Sequence, residues 1–73
     1  MMLSDLKEMQ WATIIRLPDD YMFSLRLCEM GLCQGQKIQC VTRSPFSSPV
    51  LYCVKDSLLA LRRADAKRIE VTI

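Results

Sequence analysis

Four cysteines are the side chains of this sequence with the greatest capacity for chemistry, because thiolates bind metal ions and act as nucleophiles. They are Cys28, Cys33, Cys40 and Cys53. Their intervals do not match the close CxxC or CxxH pairs that structural zinc sites use. The chain contains no histidine, which is the commonest general acid–base group and transition-metal ligand. We therefore predict no catalytic residue, no metal site and no cofactor, and keep a site of converging thiolates as the alternative.

Two other segments resemble functional motifs but have a structural interpretation. Asp19 and Asp20 lie between Pro18 and an apolar periodic stretch, where we expect their side chains to cap a helix rather than to bind a metal. Residues 31–37 contain two glycines and a lysine, as phosphate-binding loops do. They lack the GxxxxGK[ST] spacing and precede a predicted strand where that motif requires a helix. Nucleotide binding is therefore not expected.

A short helix with a defined C-terminal turn is predicted after the first strand. Residues 11–17 are β-branched or aromatic and stop at a proline, which indicates strand one. Residues 21–30 carry apolar side chains at helical spacing, among them Met30, which we expect to pack in the core. Gly31 then takes the left-handed conformation that ends a helix, so that Leu32 folds back onto Leu27. Gly35 supplies a second flexible point before the next strand.

Four further strands are predicted at residues 37–43, 50–55, 58–62 and 69–73, with a helical turn at 64–67. Their alternation places Cys40 on the inner face of its strand and Cys53 on the face opposite to Tyr52 and Val54. Only Cys28 and Cys33 remain as neighbours across the helix end. So many short strands favour an all-β fold, a small barrel of five antiparallel strands with one short α-helix between strands one and two.

The composition bounds both size and partners. A chain of 73 residues has room for a single domain, residues 1–73, and a small core that self-association would help to stabilise. The net charge of +2 is spread along the chain, so no nucleic-acid partner is expected. The N-terminus is charged early and no apolar run approaches membrane-spanning length. We expect a soluble cytoplasmic protein with reduced cysteines and no direct membrane insertion.

Several of these segments, in this order and spacing, resemble the FeoA family of bacterial ferrous iron uptake. The resemblance rests on residues 26–32 with Gly35 and Ile38, on Pro45 and Pro49-Val50, on residues 59–62, and on Ala66, Ile69 and Val71. It implies an SH3-like barrel, a domain that also occurs at the C-terminus of iron-dependent repressors. Relatives often carry glycine where Met9 and Asp56 stand in this chain.

The resemblance implies a non-enzymatic accessory protein that binds the membrane ferrous iron transporter with its GTP-binding domain and modulates transport. The alternatives are a regulatory barrel akin to the repressor domain, which binds metal or a peptide, and a thiol redox enzyme. Apolar or charged residues expected on the surface are the candidate partner contacts, namely Phe46, Met22, Leu25 and Arg43.

Overall fold

The computed structural model describes residues 1–43 and 49–73. These residues form, in chain order, a 3₁₀ turn (Leu3–Asp5), β1 (Trp11–Arg16), α1 (Tyr21–Glu29), β2 (Lys37–Thr42), β3 (Val50–Val54), β4 (Ser57–Leu61), α2 (Arg63–Ala66) and β5 (Glu70–Thr72). The predicted elements are all present, with ends that differ by at most one residue. The 3₁₀ turn was not expected from the sequence.

The described strands form one five-stranded sheet in the order β4-β3-β2-β1-β5. Each neighbouring pair is antiparallel, which confirms the predicted fold class. The register shifts between Ile14 and Arg16 in β1, and between Cys40 and Thr42 in β2. Such bulges bend a strand and increase its twist, so they allow a short sheet to curl around its core.

Among the described residues, two that carry side chains have left-handed backbone. Met9, before β1, has a φ of 67°, a conformation that glycine adopts with less strain. In the β3–β4 hairpin the left-handed residue is Lys55, with a φ of 55°, one position before Asp56. The two residues form a tight turn that pairs Val54 with Ser57, so β4 begins one residue earlier than predicted.

Helix α1 begins at a side-chain cap and ends at a Schellman turn. Asp20 Oδ1 accepts a hydrogen bond from the Phe23 backbone N–H at 3.2 Å, while Asp19 is exposed and makes no such contact. At the other end, the Leu32 N–H donates to the Leu27 carbonyl at 2.8 Å. Gly31 has a φ of 95° between them, and both leucines are buried. This is the predicted cap.

The prediction that Met30 packs in the core is wrong. Met30 is the C-cap residue of α1 and is 45% exposed. Because the chain turns immediately afterwards and returns Leu32 to the core, Leu32 rather than Met30 fills the space below the helix end.

The N-terminal residues complete the core. Leu3, the first residue of the 3₁₀ turn, and Leu6, which follows the turn, are fully buried. The Leu3 N–H donates to the Ile69 carbonyl at 2.7 Å, and the Val71 N–H donates to the Met1 carbonyl at 2.8 Å. Residues 1–3 therefore lie along the outer edge of β5 and supply hydrogen-bond partners to it. Every element contributes to the core, whose largest side chains include Tyr52, Ile14, Leu27, Ile38 and Ile69.

Replacement of Gly31 tests the helix-ending turn. Gly31→Val is expected to lower the free energy of unfolding by more than about 1 kcal/mol, because a β-branched residue is strained at positive φ. The added Cβ would lie 3.5 Å from Val54 Cγ1, an ordinary contact, so the cost arises from the backbone. Urea denaturation measures it. Gly31→Asn is the control, since asparagine tolerates this conformation and retains more of the stability. An unchanged midpoint in Gly31→Val contradicts the assignment.

Stability at alkaline pH tests the burial of Tyr52. Burial raises the pKa of Tyr52 to about 12. In the unfolded chain Tyr52 has an ordinary pKa near 10 and loses its proton first. The contribution of Tyr52 to the free energy of unfolding is therefore fully present below about pH 10 and decreases as the pH rises toward 12. We expect a loss of about 2–3 kcal/mol from this residue.

Denaturation at several pH values checks this expectation. Tyr52→Phe removes that part of the pH dependence, whereas Tyr21→Phe, at an exposed tyrosine, leaves it in place. If the free energy of unfolding of Tyr52→Phe falls at alkaline pH as much as that of the unmodified chain, Tyr52 is not the cause of the decline and the prediction is wrong.

Candidate functional site

The outward face of α1 carries contiguous apolar side chains. Met22 is 65% exposed and Leu25 is 42% exposed, and Tyr21 lies beside them with its ring largely in solvent. These three positions span about 100° of the helix circumference, opposite to buried Leu27. We call Tyr21, Met22 and Leu25 the α1 surface. Its apolar area and polar neighbours are the features of a protein contact.

Local sequence explains why these side chains are exposed. Helix α1 is only two and a half turns long, and its inward face is occupied by Leu27 and by half-buried Phe23. Apolar residues outside that stripe have no core to enter. Met22 and Leu25, which were predicted as contacts for this reason, are therefore brought together by the helix, with Tyr21 as an addition.

The other two predicted contacts lie elsewhere. Arg43 is half-buried, and its Nη1 donates to the Leu6 carbonyl at 2.7 Å, so it holds the N-terminal segment against β2. The Glu8 carboxylate accepts a hydrogen bond from the Arg43 backbone N–H at 3.3 Å. A contact between Arg43 and a partner stays a prediction. Phe46 lies outside the described residues.

A groove of about 530 Å³ separates α1 from the end of β4. Phe23, Leu27 and Met30 form the helix side, and Ala60 and Leu61 form the strand side. The lining also includes three charged side chains, namely Arg26, Arg62 and Asp65. The Arg68 guanidinium lies over the Phe23 ring, 4.7 Å from its centroid, which holds that ring in place.

A second apolar surface lies on the outward face of β1. Trp11 and Ile73 are exposed and line a groove with Thr13 and Lys37, also of about 530 Å³. Our sequence interpretation did not identify this surface. The alternation of β1 could have revealed it, since Ala12 and Ile14 are buried and Trp11 must then face outward.

The cysteines are distributed as the strand alternation predicted. Cys40 is buried on the inner face, and burial is the largest cause that raises the pKa of its thiol. Cys53 is half-buried on the opposite face. Cys28 and Cys33 lie together at the helix end, where the Cys33 thiol donates a hydrogen bond to the Cys28 carbonyl at 3.5 Å and the neighbouring Cys33 side chain raises the pKa of Cys28. Raised pKa values favour neutral thiols, which are weak nucleophiles and ligands.

Within residues 1–43 and 49–73, no group of three or more cysteine, aspartate or glutamate side chains is placed to hold a metal ion. The same described residues contain no helix that is long and apolar enough to cross a membrane.

Comparison with known proteins identifies the family. The family model of the FeoA domain matches residues 1–73. The chain is 38% identical, over its whole length, to part of the Fe(2+) transport protein A/Fe(2+) transporter FeoB fusion protein of Porphyromonas gingivalis. It spans 9% of the length of that curated relative.

Solved structures of the family have the same fold. The FeoA protein from Chlorobium tepidum is 30% identical, with a TM-score of 0.90 over 100% of this chain and 70% of that chain. FeoA of Stenotrophomonas maltophilia, described as a procaryotic SH3 domain protein and complexed with zinc, is 31% identical, with a TM-score of 0.78 over 97% of this chain and 88% of that one.

Likeness also extends to a regulator, at the level of the fold alone. A manganese-dependent transcriptional repressor is 16% identical, with a TM-score of 0.84 over 100% of this chain and 40% of that chain. The described strands and helix thus form an SH3-like domain that different proteins use. From the match of the whole sequence, the chain belongs to the FeoA domain family.

Proposed function

We propose that this domain is a non-enzymatic accessory of ferrous iron transport. It docks on the cytoplasmic part of the membrane ferrous iron transporter, which carries the GTP-binding domain, and modulates transport through that contact. The observation that carries the proposal is the Porphyromonas gingivalis relative, whose name joins an Fe(2+) transport protein A to the transporter FeoB in one fusion protein.

The fusion supports association for a physical reason. A domain tethered to its target acts at an effective concentration that reaches the millimolar range with a short linker, so even a weak contact stays occupied. A separate copy of the domain needs a surface that binds without the tether. An exposed apolar patch with polar surroundings meets that need, and the α1 surface is such a patch.

The α1 surface is better suited to bind a partner than the second apolar surface, at Trp11 and Ile73. Tyr21, Met22 and Leu25 lie on a regular helix whose backbone is already ordered, so little conformational entropy is lost when a partner covers it. Asp20 and the Gly31 turn secure its two ends. In contrast, Ile73 beside Trp11 follows the last residue of β5 and is 75% exposed. An exposed side chain outside a strand or helix loses more conformational freedom when a partner covers it than one on an ordered helix does.

Binding to the purified cytoplasmic region of the transporter tests the proposal. Titration is performed without nucleotide, with GDP and with a non-hydrolysable GTP analogue, and binding is expected in at least one of these states. Absence of binding in all of them contradicts the proposed function.

Substitutions on the α1 surface then locate the contact. Met22→Gln with Leu25→Gln keeps good helix formers but removes apolar contact area, and is expected to weaken binding by about tenfold or more. Ile73→Gln, at an exposed apolar residue of the second surface, is the matched control and leaves affinity unchanged. If Ile73→Gln weakens binding and the double α1 variant does not, the contact does not lie on the α1 surface, although the domain still binds the transporter.

A further inference from the structure

Strand β4 has an unpaired backbone edge. Its register with β3 pairs Val54 with Ser57 across a two-residue turn, so alternate residues, Ser57, Leu59 and Leu61, exchange hydrogen bonds with β3. The N–H and C=O groups of Leu58 and Ala60 then point away from the sheet. Within the described part of the chain, no other strand pairs with β4 on that side.

The two edges of the sheet are treated differently. The β5 edge is covered by residues 1–3 through the hydrogen bonds of Leu3 and Val71. The β4 edge has none of the features that usually prevent strand pairing, since Ser57–Leu61 contains no charge and no proline and its register is regular. Leu58 is 62% exposed on it. Such an edge is a template for another strand.

The sequence around this edge is complementary to itself. In an antiparallel pair of two β4 strands centred on Leu59, the outward groups of Leu58 meet those of Ala60 in the second copy. Large and small side chains then lie opposite each other. The same register brings Asp56, the turn residue just before β4, close to Arg62, the residue just after β4, of the second copy, twice, because the arrangement is two-fold symmetric. If the two strands pair about Leu58 or Ala60 instead, Asp56 no longer meets Arg62 and these ion pairs are lost.

We propose that two copies of this chain associate through β4, in antiparallel register about Leu59, to form a continuous ten-stranded sheet across the dimer. The inference concerns the chain itself and does not depend on the transporter.

The surroundings of β4 accommodate a second strand. Arg62 keeps extended backbone after the strand, with φ −66° and ψ 147°, so the edge continues to the position of the ion pair. Asp56 and Arg62 are both exposed, and neither forms an ion pair with another described residue. The groove of about 530 Å³ beside Ala60 separates this edge from α1 and provides the space that an incoming backbone occupies.

Charge reversal tests both the dimer and its register. Sedimentation velocity over a concentration series is expected to show a monomer–dimer equilibrium with Kd between about 1 μM and 1 mM. Asp56→Arg and Arg62→Asp, each alone, place like charges opposite each other and weaken dimerisation by about tenfold. An equimolar mixture of the two variants restores the affinity, since each heterodimer again contains two opposite-charge pairs. Lys67→Asp, outside the edge, is the control for added negative charge and leaves dimerisation unchanged.

Each of three results would overturn the proposal. The first is a chain that stays monomeric up to about 1 mM. The second is that each single variant dimerises with the same Kd as the unmodified chain, which places the interface elsewhere. The third is a mixture that remains as weak as its components, which excludes the register about Leu59. Thermal midpoints of both variants close to that of the unmodified chain establish that folding is intact in all three cases.

Discussion

The chain reverses direction at Gly31 through a left-handed residue, and the position of α1 depends on that reversal. Because Leu27 and Leu32 enter the core on either side of the turn, the helix is held over one end of the sheet. Its inner stripe is thereby buried, and Tyr21, Met22 and Leu25 are directed outward. The same backbone conformation thus stabilises a small core and exposes the apolar α1 surface that we propose as the partner contact. A chain of this size has little additional core with which to compensate for the loss of either.

The arrangement of edges explains how a five-stranded sheet persists in so short a chain. The segment before β1 contributes buried leucines and at the same time covers β5, with Arg43 holding it from the β2 side. At the opposite edge, β4 receives hydrogen bonds from β3 alone among the described residues. The turn that begins this strand carries Lys55 in a left-handed conformation, where glycine would be less strained. The fold therefore has one protected edge and one edge available for pairing.

Local patterns in the sequence were sufficient to predict the strands and helices, but not to predict which of them contact each other in the folded chain. Alternation predicted the strands and the inward face of Cys40, and the apolar spacing with Gly31 predicted α1 and its cap. Leu3 and Leu6 lie in a segment too short to show a helical or strand periodicity, so only the tertiary contacts of this segment reveal that they are core residues. Met30 was misplaced because helical periodicity does not apply beyond the last turn.

The candidate site was predictable to a similar extent. Met22 and Leu25 were expected on the surface because α1 has more apolar residues than one face can bury, and both are exposed, while their contact with a partner stays a prediction. The exposure of Tyr21 and the groove at Trp11 could not be predicted in the same way, because they depend on which parts of the surface the other strands and helices leave uncovered. The open edge of β4 is a property of strand order, which pattern alone does not determine, and so it emerged only from the pairing of β4 with β3.

NMR titration of the ¹⁵N-labelled domain with the cytoplasmic region of the transporter tests the central claim most directly. Binding through the α1 surface predicts that the largest amide shift changes and line broadening occur within Tyr21–Glu29, with little change along Trp11–Arg16. Changes concentrated in Trp11–Arg16 with α1 unaffected, or no changes at saturating concentrations of the transporter region, would contradict it.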